Sequence, residues 1–187
     1  MAANELAETY TNAKVVPVDS FCATGGMGLL LECAIRNQKN GMTIEENAKW
    51  LNENKGKMTL WFMVDDLMYL KRGGRVSAAT ALVGTMLSIK PVLHVDDEGH
   101  LINVGKARGR KSSIQALADK MGQLQIPGEN DTVFICHGDC IEDAKYLESL
   151  VKERYGVKNV LIYYTGAVIA SHSGPGTLAL FFIGEHR

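Results

Sequence analysis

The sequence predicts an α/β fold with a mixed β-sheet, and three patterns carry this prediction. Short apolar runs, rich in β-branched or aromatic residues, alternate with helical patterns over most of the 187 residues. The turn signal Asp96-Asp97-Glu98-Gly99 lies between two of these runs and predicts a hairpin, which requires an antiparallel pair. The run 177–183 is almost wholly apolar and predicts a buried strand. We therefore expect an α/β protein whose C-terminal part has α+β character.

The first 56 residues predict three helices and one strand. In chain order these are helix 2–12, strand 15–18, helix 21–39 and helix 43–54. Thr43 and Glu46 have the spacing of a capping box, which supports the start of the third helix. A single strand of a parallel sheet needs neighbours. Residues 1–56 are therefore expected to be the C-terminal remnant of a first, parallel-sheet α/β domain whose front is missing.

Residues 57–187 predict a second domain in which strands and helices alternate. Asp65 or Asp66 is expected to cap a short helix that contains Leu67 and Leu70. The other predicted elements are strand 59–64, helix 78–88, strands 89–95 and 101–106, helix 112–124, strand 132–137, helix 142–155, strand 160–163, helix 166–171 and strand 177–183. This order favours a mixed sheet with helices.

The composition argues against several classes of protein. With a net charge of -1 and a pI of about 6.5, the chain has no global basic surface for nucleic acid or for a membrane. No run of about 18 apolar residues predicts a membrane-spanning helix. The four cysteines form no CxxC pair and have no histidine at zinc-ligand spacing. We therefore expect free thiols in a reducing cytoplasm, and neither a metal nor a cofactor.

The segment 71–77 is the first candidate site. Gly73 and Gly74 permit positive φ and a close approach by a ligand. Arg72 and Arg75 supply planar charged groups that suit a carboxylate or a phosphate. A helix C-cap followed by a solvated basic turn would explain the same residues.

The predicted helix 78–88 is apolar nearly all round, as expected of a buried helix. Its small residues leave room beside it, so Ala79, Val83 and Met86 are candidates for the wall of an acyl-chain pocket. A charged group at one end of an apolar wall suits a fatty acid. A packed core helix would explain the same pattern.

Two further segments are candidate anion sites. Residues 106–111 place Arg108 and Arg110 between a strand and a helix, where the helix N-terminus and the arginines favour an anion. His172 lies in the Ser/Gly-rich segment 171–177 and could donate to a carboxylate. The alternatives are a solvated basic loop and an exposed loop histidine.

Motifs of known enzyme classes are weak in this sequence. Gly25-Gly26-Met27-Gly28 follows a predicted strand but lacks the G-x-G-x-x-G spacing, and it is more typical of close helix–strand packing. His137 and Cys140 suggest a nucleophile with a base, but no further group completes such a site. A regulatory nucleic-acid-binding role finds no supporting motif.

In their order and spacing, the candidate segments resemble the DegV family of bacterial fatty-acid-binding proteins. The matching stretches, which extend over essentially the whole chain, are 18–20 with 26–28, 66–77, 87–93, 106–111 and 172–176. Each motif is weak alone, and the ordered set is specific.

The resemblance implies a carrier, not an enzyme. In the family, two α/β domains bury one long-chain fatty acid between them, and the carrier presents the carboxylate to the catalytic subunit of a separate fatty-acid kinase for acyl-phosphate formation. The residues expected near the carboxylate or the kinase-docking face are one of Arg72 and Arg75, one of Arg108 and Arg110, and His172. An alternative is a phosphotransferase or acyl-phosphate hydrolase that uses His172.

The resemblance also implies an N-terminally truncated chain. Family members carry a preceding part in which a Thr/Ser-containing loop touches the carboxylate. We expect the chain to expose apolar surface that this part would cover, and therefore to self-associate or bind lipid weakly.

Overall fold

The computed structural model describes residues 2–10, 12–76 and 89–187. The helices are α1 (Ala2–Thr9), α2 (Thr24–Lys39), α3 (Ile44–Asn54), α4 (Leu67–Arg72), α5 (Arg110–Leu124), α6 (Ile141–Tyr155) and α7 (Ala167–Ser173). The strands are β1 (Met58–Met63), β2 (Ile89–Val95), β3 (Leu101–Arg108), β4 (Thr132–His137), β5 (Asn159–Tyr164) and β6 (Leu178–Ile183).

The six strands form one mixed sheet in the order β3-β2-β1-β6-β4-β5. Only the β4–β5 pair is parallel among these strands, and β6 lies antiparallel to both β1 and β4. The predicted α/β class with a mixed sheet is confirmed. The antiparallel β2–β3 pair confirms the predicted hairpin, whose turn is closed by the His100 N–H donating to Asp96 Oδ1 at 2.7 Å.

Helices cover both faces of the sheet. On one face α5 and α6 pack over a cluster that includes Leu117, Leu147 and Phe182. On the other face α2 and α4 pack over a cluster that includes Leu29 and Phe181. Phe181 and Phe182 are both 0% exposed, because successive residues of β6 point into opposite clusters. The predicted buried strand is therefore confirmed.

The strand predicted at 15–18 is wrong. Residues 14–20 have no regular secondary structure. Within the described ranges this segment has no ladder partner, and an extended segment without one is not a strand.

Since α2 packs across β1, β4 and β6, the first 56 residues contribute to the cluster that covers this sheet. The proposed division into 1–56 and 57–187 stays a prediction.

Local signals position the helix starts near the sheet. Thr43 and Glu46 form the predicted capping box, and the Asp66 side chain accepts a hydrogen bond from Met68 N at 2.8 Å. The loop predicted between β3 and α5 is shorter than expected, because β3 extends to Arg108 and α5 begins at Arg110. Gly109 alone separates them, at a φ of 87° that glycine adopts without strain.

Among the described residues, no helix has both the length and the apolar character needed to cross a bilayer.

Candidate ligand-binding cavity

A cavity of about 450 Å³ lies on the face of the sheet that α2 and α4 cover. Its floor consists of same-face side chains of the two central strands: Met58, Leu60 and Phe62 from β1, and Ala179 and Phe181 from β6. We call these five residues the apolar floor. The volume lies within the range of small-molecule sites, and the apolar floor suits a hydrocarbon.

Several uncharged polar residues and a histidine line one end of the cavity. Strand register defines this end, because Met63 pairs with Leu178 there while Met58 pairs with Ile183 at the other. The lining residues at the Met63 end, which we call the polar end, include Thr165, His172, Ser173 and Thr177. This end of the cavity is therefore polar, whereas its floor is apolar.

Charged residues also line the cavity near Met58. Asp19 and Arg187 are of opposite sign and lie there beside Cys22, whose thiol contacts the carbonyl oxygen of Met58. An anionic group therefore has two possible positions, one at the polar end and one near Arg187.

His172 is held in place by its backbone surroundings. It lies in the last turn of α7, which extends two residues beyond the predicted end of this helix at 171, and it is half-buried. A Cβ atom on Gly73 would overlap the His172 ring. The following segment is fixed to β4, since Gly176 N donates to Gly138 O at 2.6 Å and Gly138 N donates to Thr177 O at 2.8 Å. His172 is thus part of the cavity wall and not an exposed loop side chain.

Arg75 lines the cavity and Arg72 does not. Arg75 is exposed, and its guanidinium donates to Gly73 O at 2.7 Å. The guanidinium of Arg72 instead lies over the Tyr69 ring, 5.3 Å from its centroid. Gly74 turns the chain between them with a φ of 71°. Of this pair, Arg75 is the arginine that a cavity ligand can reach.

Arg108 and Arg110 lie away from the cavity lining. Arg108 is exposed at the end of β3. Arg110 Nε donates to Asp143 at 2.9 Å, and its NH1 group donates to Asp65 at 3.0 Å. Arg110 therefore joins α5 to α6 and to the residues after β1. A role for either arginine at a carboxylate or a partner stays a prediction.

Three predicted wall residues, Ala79, Val83 and Met86, lie outside the described residues.

The His137 and Cys140 pair does not have the geometry of an activated nucleophile. The Cys140 backbone N–H donates to His137 Nδ1 at 3.2 Å, and the Cys140 thiol donates to Thr177 O at 3.3 Å. Burial raises the pKa of the Cys140 thiol, although the Arg110 charge partly offsets it. The thiol is therefore protonated near neutral pH and bonded to a backbone carbonyl.

The cavity is also lined by Thr24, Cys136 and Thr165, which no sequence pattern predicted as site residues. They come from the start of α2, from β4 and from the residue after β5, so no spacing along the chain connects them. Burial raises the pKa of the Cys136 thiol, and the nearby Thr165, Thr24 and Tyr163 hydroxyls only partly offset this.

Comparison with known proteins identifies a consistent set of relatives. Residues 1–185 match the model of a family described as "Uncharacterised protein, DegV family". A DegV domain-containing protein of Clostridium perfringens is 45% identical over 187 residues, which are 100% of this chain and 64% of that protein. The chain thus spans less than two thirds of that relative's length.

Solved structures show the same fold. A DegV family protein from Ruminococcus gnavus, solved with vaccenic acid, has a TM-score of 0.81 at 26% identity, over 96% of this chain and 64% of that one. The Fatty Acid Kinase (Fak) B3 protein of Streptococcus pneumoniae, loaded with linoleic acid, has a TM-score of 0.85 at 23% identity, over 98% of this chain and 65% of that one. The second likeness shows the fold alone.

Proposed function

The chain belongs to the DegV family, and from this premise we propose that it binds one long-chain fatty acid in the cavity. The acyl chain lies along the apolar floor and the carboxylate lies at the polar end, near His172 and Arg75. The observation that carries the proposal is an apolar floor whose Met63 end brings His172 together with the hydroxyl residues Thr165, Ser173 and Thr177. The Ruminococcus gnavus relative was solved with vaccenic acid. This ligand, a hydrocarbon chain with one carboxylate, belongs to the same chemical class.

Binding, and not catalysis, is the proposed activity. An enzymatic role for His172 as phosphotransferase or hydrolase would require a carboxylate to orient the imidazole. Among the described residues that line the cavity with His172, the only acidic side chain is that of Asp19, which lies near Met58 at the other end. His172 is better suited to donate a hydrogen bond to a bound carboxylate.

The finer proposal is that the bound carboxylate is presented to a separate fatty-acid kinase, which forms the acyl phosphate. Arg75 supports this, because it is exposed and also lines the cavity, so one side chain can face both ligand and partner. The name of the Fak B3 protein, which shares the fold, is in keeping with such a partnership. Arg72 and Arg108 are further candidates for the docking face.

The test is direct measurement of fatty-acid binding. Native mass spectrometry of the purified chain, followed by lipid extraction, should find a long-chain fatty acid at about one per chain. Titration of the delipidated chain with stearic acid should then show Arg75→Ala weakening binding by about 1.5–3 kcal/mol, the value of a hydrogen bond to a charged group.

Two other arginine variants make the titration decisive. Arg154→Ala is the matched control, because Arg154 pairs with Asp119 on the far side of the sheet. Arg187→Ala tests the opposite orientation of the ligand. A wild-type chain that binds no fatty acid would contradict the proposed function. If Arg187→Ala were the only variant to lose affinity, the carboxylate would lie near Arg187 and not at the polar end.

A further inference from the structure

Thr165 lines the cavity and carries an unusual hydroxyl. It follows β5 directly, and its backbone N–H donates to His137 O at 2.8 Å, which fixes it at the polar end. The residue is only 8% exposed. Its Oγ1 atom is buried, has no nitrogen or oxygen partner among the residues that the structure describes, and lies close to the Cys136 thiol.

The other buried hydroxyls of the polar end already donate hydrogen bonds to backbone carbonyls. Ser173 Oγ donates to Ile169 O at 3.0 Å, and Thr177 Oγ1 donates to Gly174 O at 2.7 Å. A hydroxyl carries one hydrogen, so neither has a donor left for a ligand. The Thr165 hydroxyl can still donate to a ligand, because its neighbour Cys136 offers only a thiol, which is a weak hydrogen-bond partner.

The position of Thr165 indicates which ligand atom it meets. A buried hydroxyl without a partner costs free energy, and a ligand that supplies an acceptor recovers it. A saturated acyl chain has no acceptor apart from its carboxylate, whose two oxygens accept several hydrogen bonds. The carboxylate belongs at the polar end, where Thr165 lies with His172.

We infer that the Thr165 hydroxyl is a second donor to the ligand carboxylate, beside His172, and that it makes the polar end selective for a fatty acid over a neutral lipid of the same length. The inference rests on the proposed function. It assigns a specificity-determining role to a residue that no sequence motif contains.

The experiment compares two ligands with 18 carbons, stearic acid and 1-octadecanol, each delivered from cyclodextrin to the delipidated full chain. Thr165→Val removes the hydroxyl at nearly constant shape, and Thr165→Ser keeps it. We expect Thr165→Val to weaken stearic acid binding by about 10- to 100-fold, since a hydrogen bond to a charged group is lost, and octadecanol binding by markedly less. Thr165→Ser should bind the acid about as tightly as the wild type.

Thr132→Val is the matched control, because Thr132 lies at the other end of β4 and outside the cavity lining. Unchanged acid affinity in Thr165→Val, with the wild type binding normally, would overturn the inference and leave the proposed function standing. Equal losses for acid and alcohol, or equal losses in the Val and Ser variants, would also overturn it, because packing would then be the cause. A wild type that binds neither ligand would overturn the proposed function and the inference together.

Discussion

Gly73 determines where the His172 imidazole can lie. A Cβ atom at Gly73 would overlap the ring, yet the backbone of Gly73 has a φ of -76°, which any residue adopts. The glycine is therefore required by space and not by backbone conformation. Of the two glycines that were expected to permit a positive φ and a close approach, only Gly74 has a positive φ.

We expect Gly73→Ala to reduce fatty-acid affinity while costing little stability. The new methyl group pushes the His172 ring out of its position, and a displaced donor no longer meets the carboxylate. Gly56→Ala is the matched control, since Gly56 also has an ordinary φ and has open space where its Cβ would lie. Titration with stearic acid and urea unfolding of both variants check this. Equal affinity in the two variants would show that His172 does not position the ligand.

The sequence predicted some residues of the cavity and missed others. Arg75 and His172 line the cavity, and both stood out because an arginine or a histidine lay next to glycines or serines. Thr165 did not stand out, because threonine is common and its burial depends on β4, β5 and α7 meeting at one point. Arg110 looked like an anion site in sequence, but its partners Asp65 and Asp143 lie 45 and 33 residues away along the chain.

At the scale of elements, a charged cluster connects Asp65, two residues after β1, to β2 and α5. Asp65 pairs with Lys90 at 2.7 Å and with Arg110 at 3.0 Å. Burial alone would raise the pKa of Asp65, but the hydrogen bonds and charges of Lys90 and Arg110 outweigh it and lower that pKa. The folded state therefore favours the charged carboxylate.

This lowered pKa predicts a loss of stability in acid. A carboxyl group with a lower pKa in the folded state stabilises the fold above its unfolded pKa of about 3.9, and this contribution disappears as the pH falls through the folded value. Asp65 is 49% exposed, so we expect the contribution to be about 1 kcal/mol or less. Asp65→Asn should be less stable than the wild type at pH 7, and the difference should shrink as the pH falls below the unfolded pKa of about 3.9.

Urea unfolding at pH 7 and at pH 3 measures that difference. Asp97→Asn, in the exposed hairpin turn, controls for the loss of one carboxylate. An Asp65→Asn deficit of the same size at both pH values would show that packing, and not charge, makes the contribution.

Strands and helices were predictable where the pattern was long or had clear ends. β4 has its predicted bounds, and α3 begins after its capping box, because these signals are local. The strand expected at 15–18 shows the limit of such reasoning. Its apolar residues have strand character, but strand formation depends on a neighbour that no local pattern reveals.

On the scale of the whole molecule, α2 carries an apolar stripe on its outer side. Met27, Leu31 and Ile35 are 56%, 60% and 44% exposed, and their spacing of four residues puts them on one side of the helix. An exposed stripe of this kind favours association with another apolar surface.

We expect the chain to self-associate with increasing concentration, and Leu31→Lys to shift it toward the monomer, because a charge in the centre of the stripe opposes burial. Gln38→Lys, on the exposed last turn of the same helix, adds the same charge without removing apolar surface. Sedimentation velocity over a concentration series measures the effect. A wild type that stays monomeric throughout would contradict the expectation.

The position of β6 has a consequence for how the molecule acquires its fold during synthesis. β6 is the last described strand in the chain, yet it lies between β1 and β4 at the centre of the sheet. On the ribosome, the β3-β2-β1 and β4-β5 halves cannot join until residues 178–183 have emerged. Pairing of β1 with β6 closes a loop of more than 110 residues, which slows folding. A nascent chain stopped before residue 178 would therefore carry two unfinished half-sheets with open edges, a form that chaperones recognise and that aggregates readily.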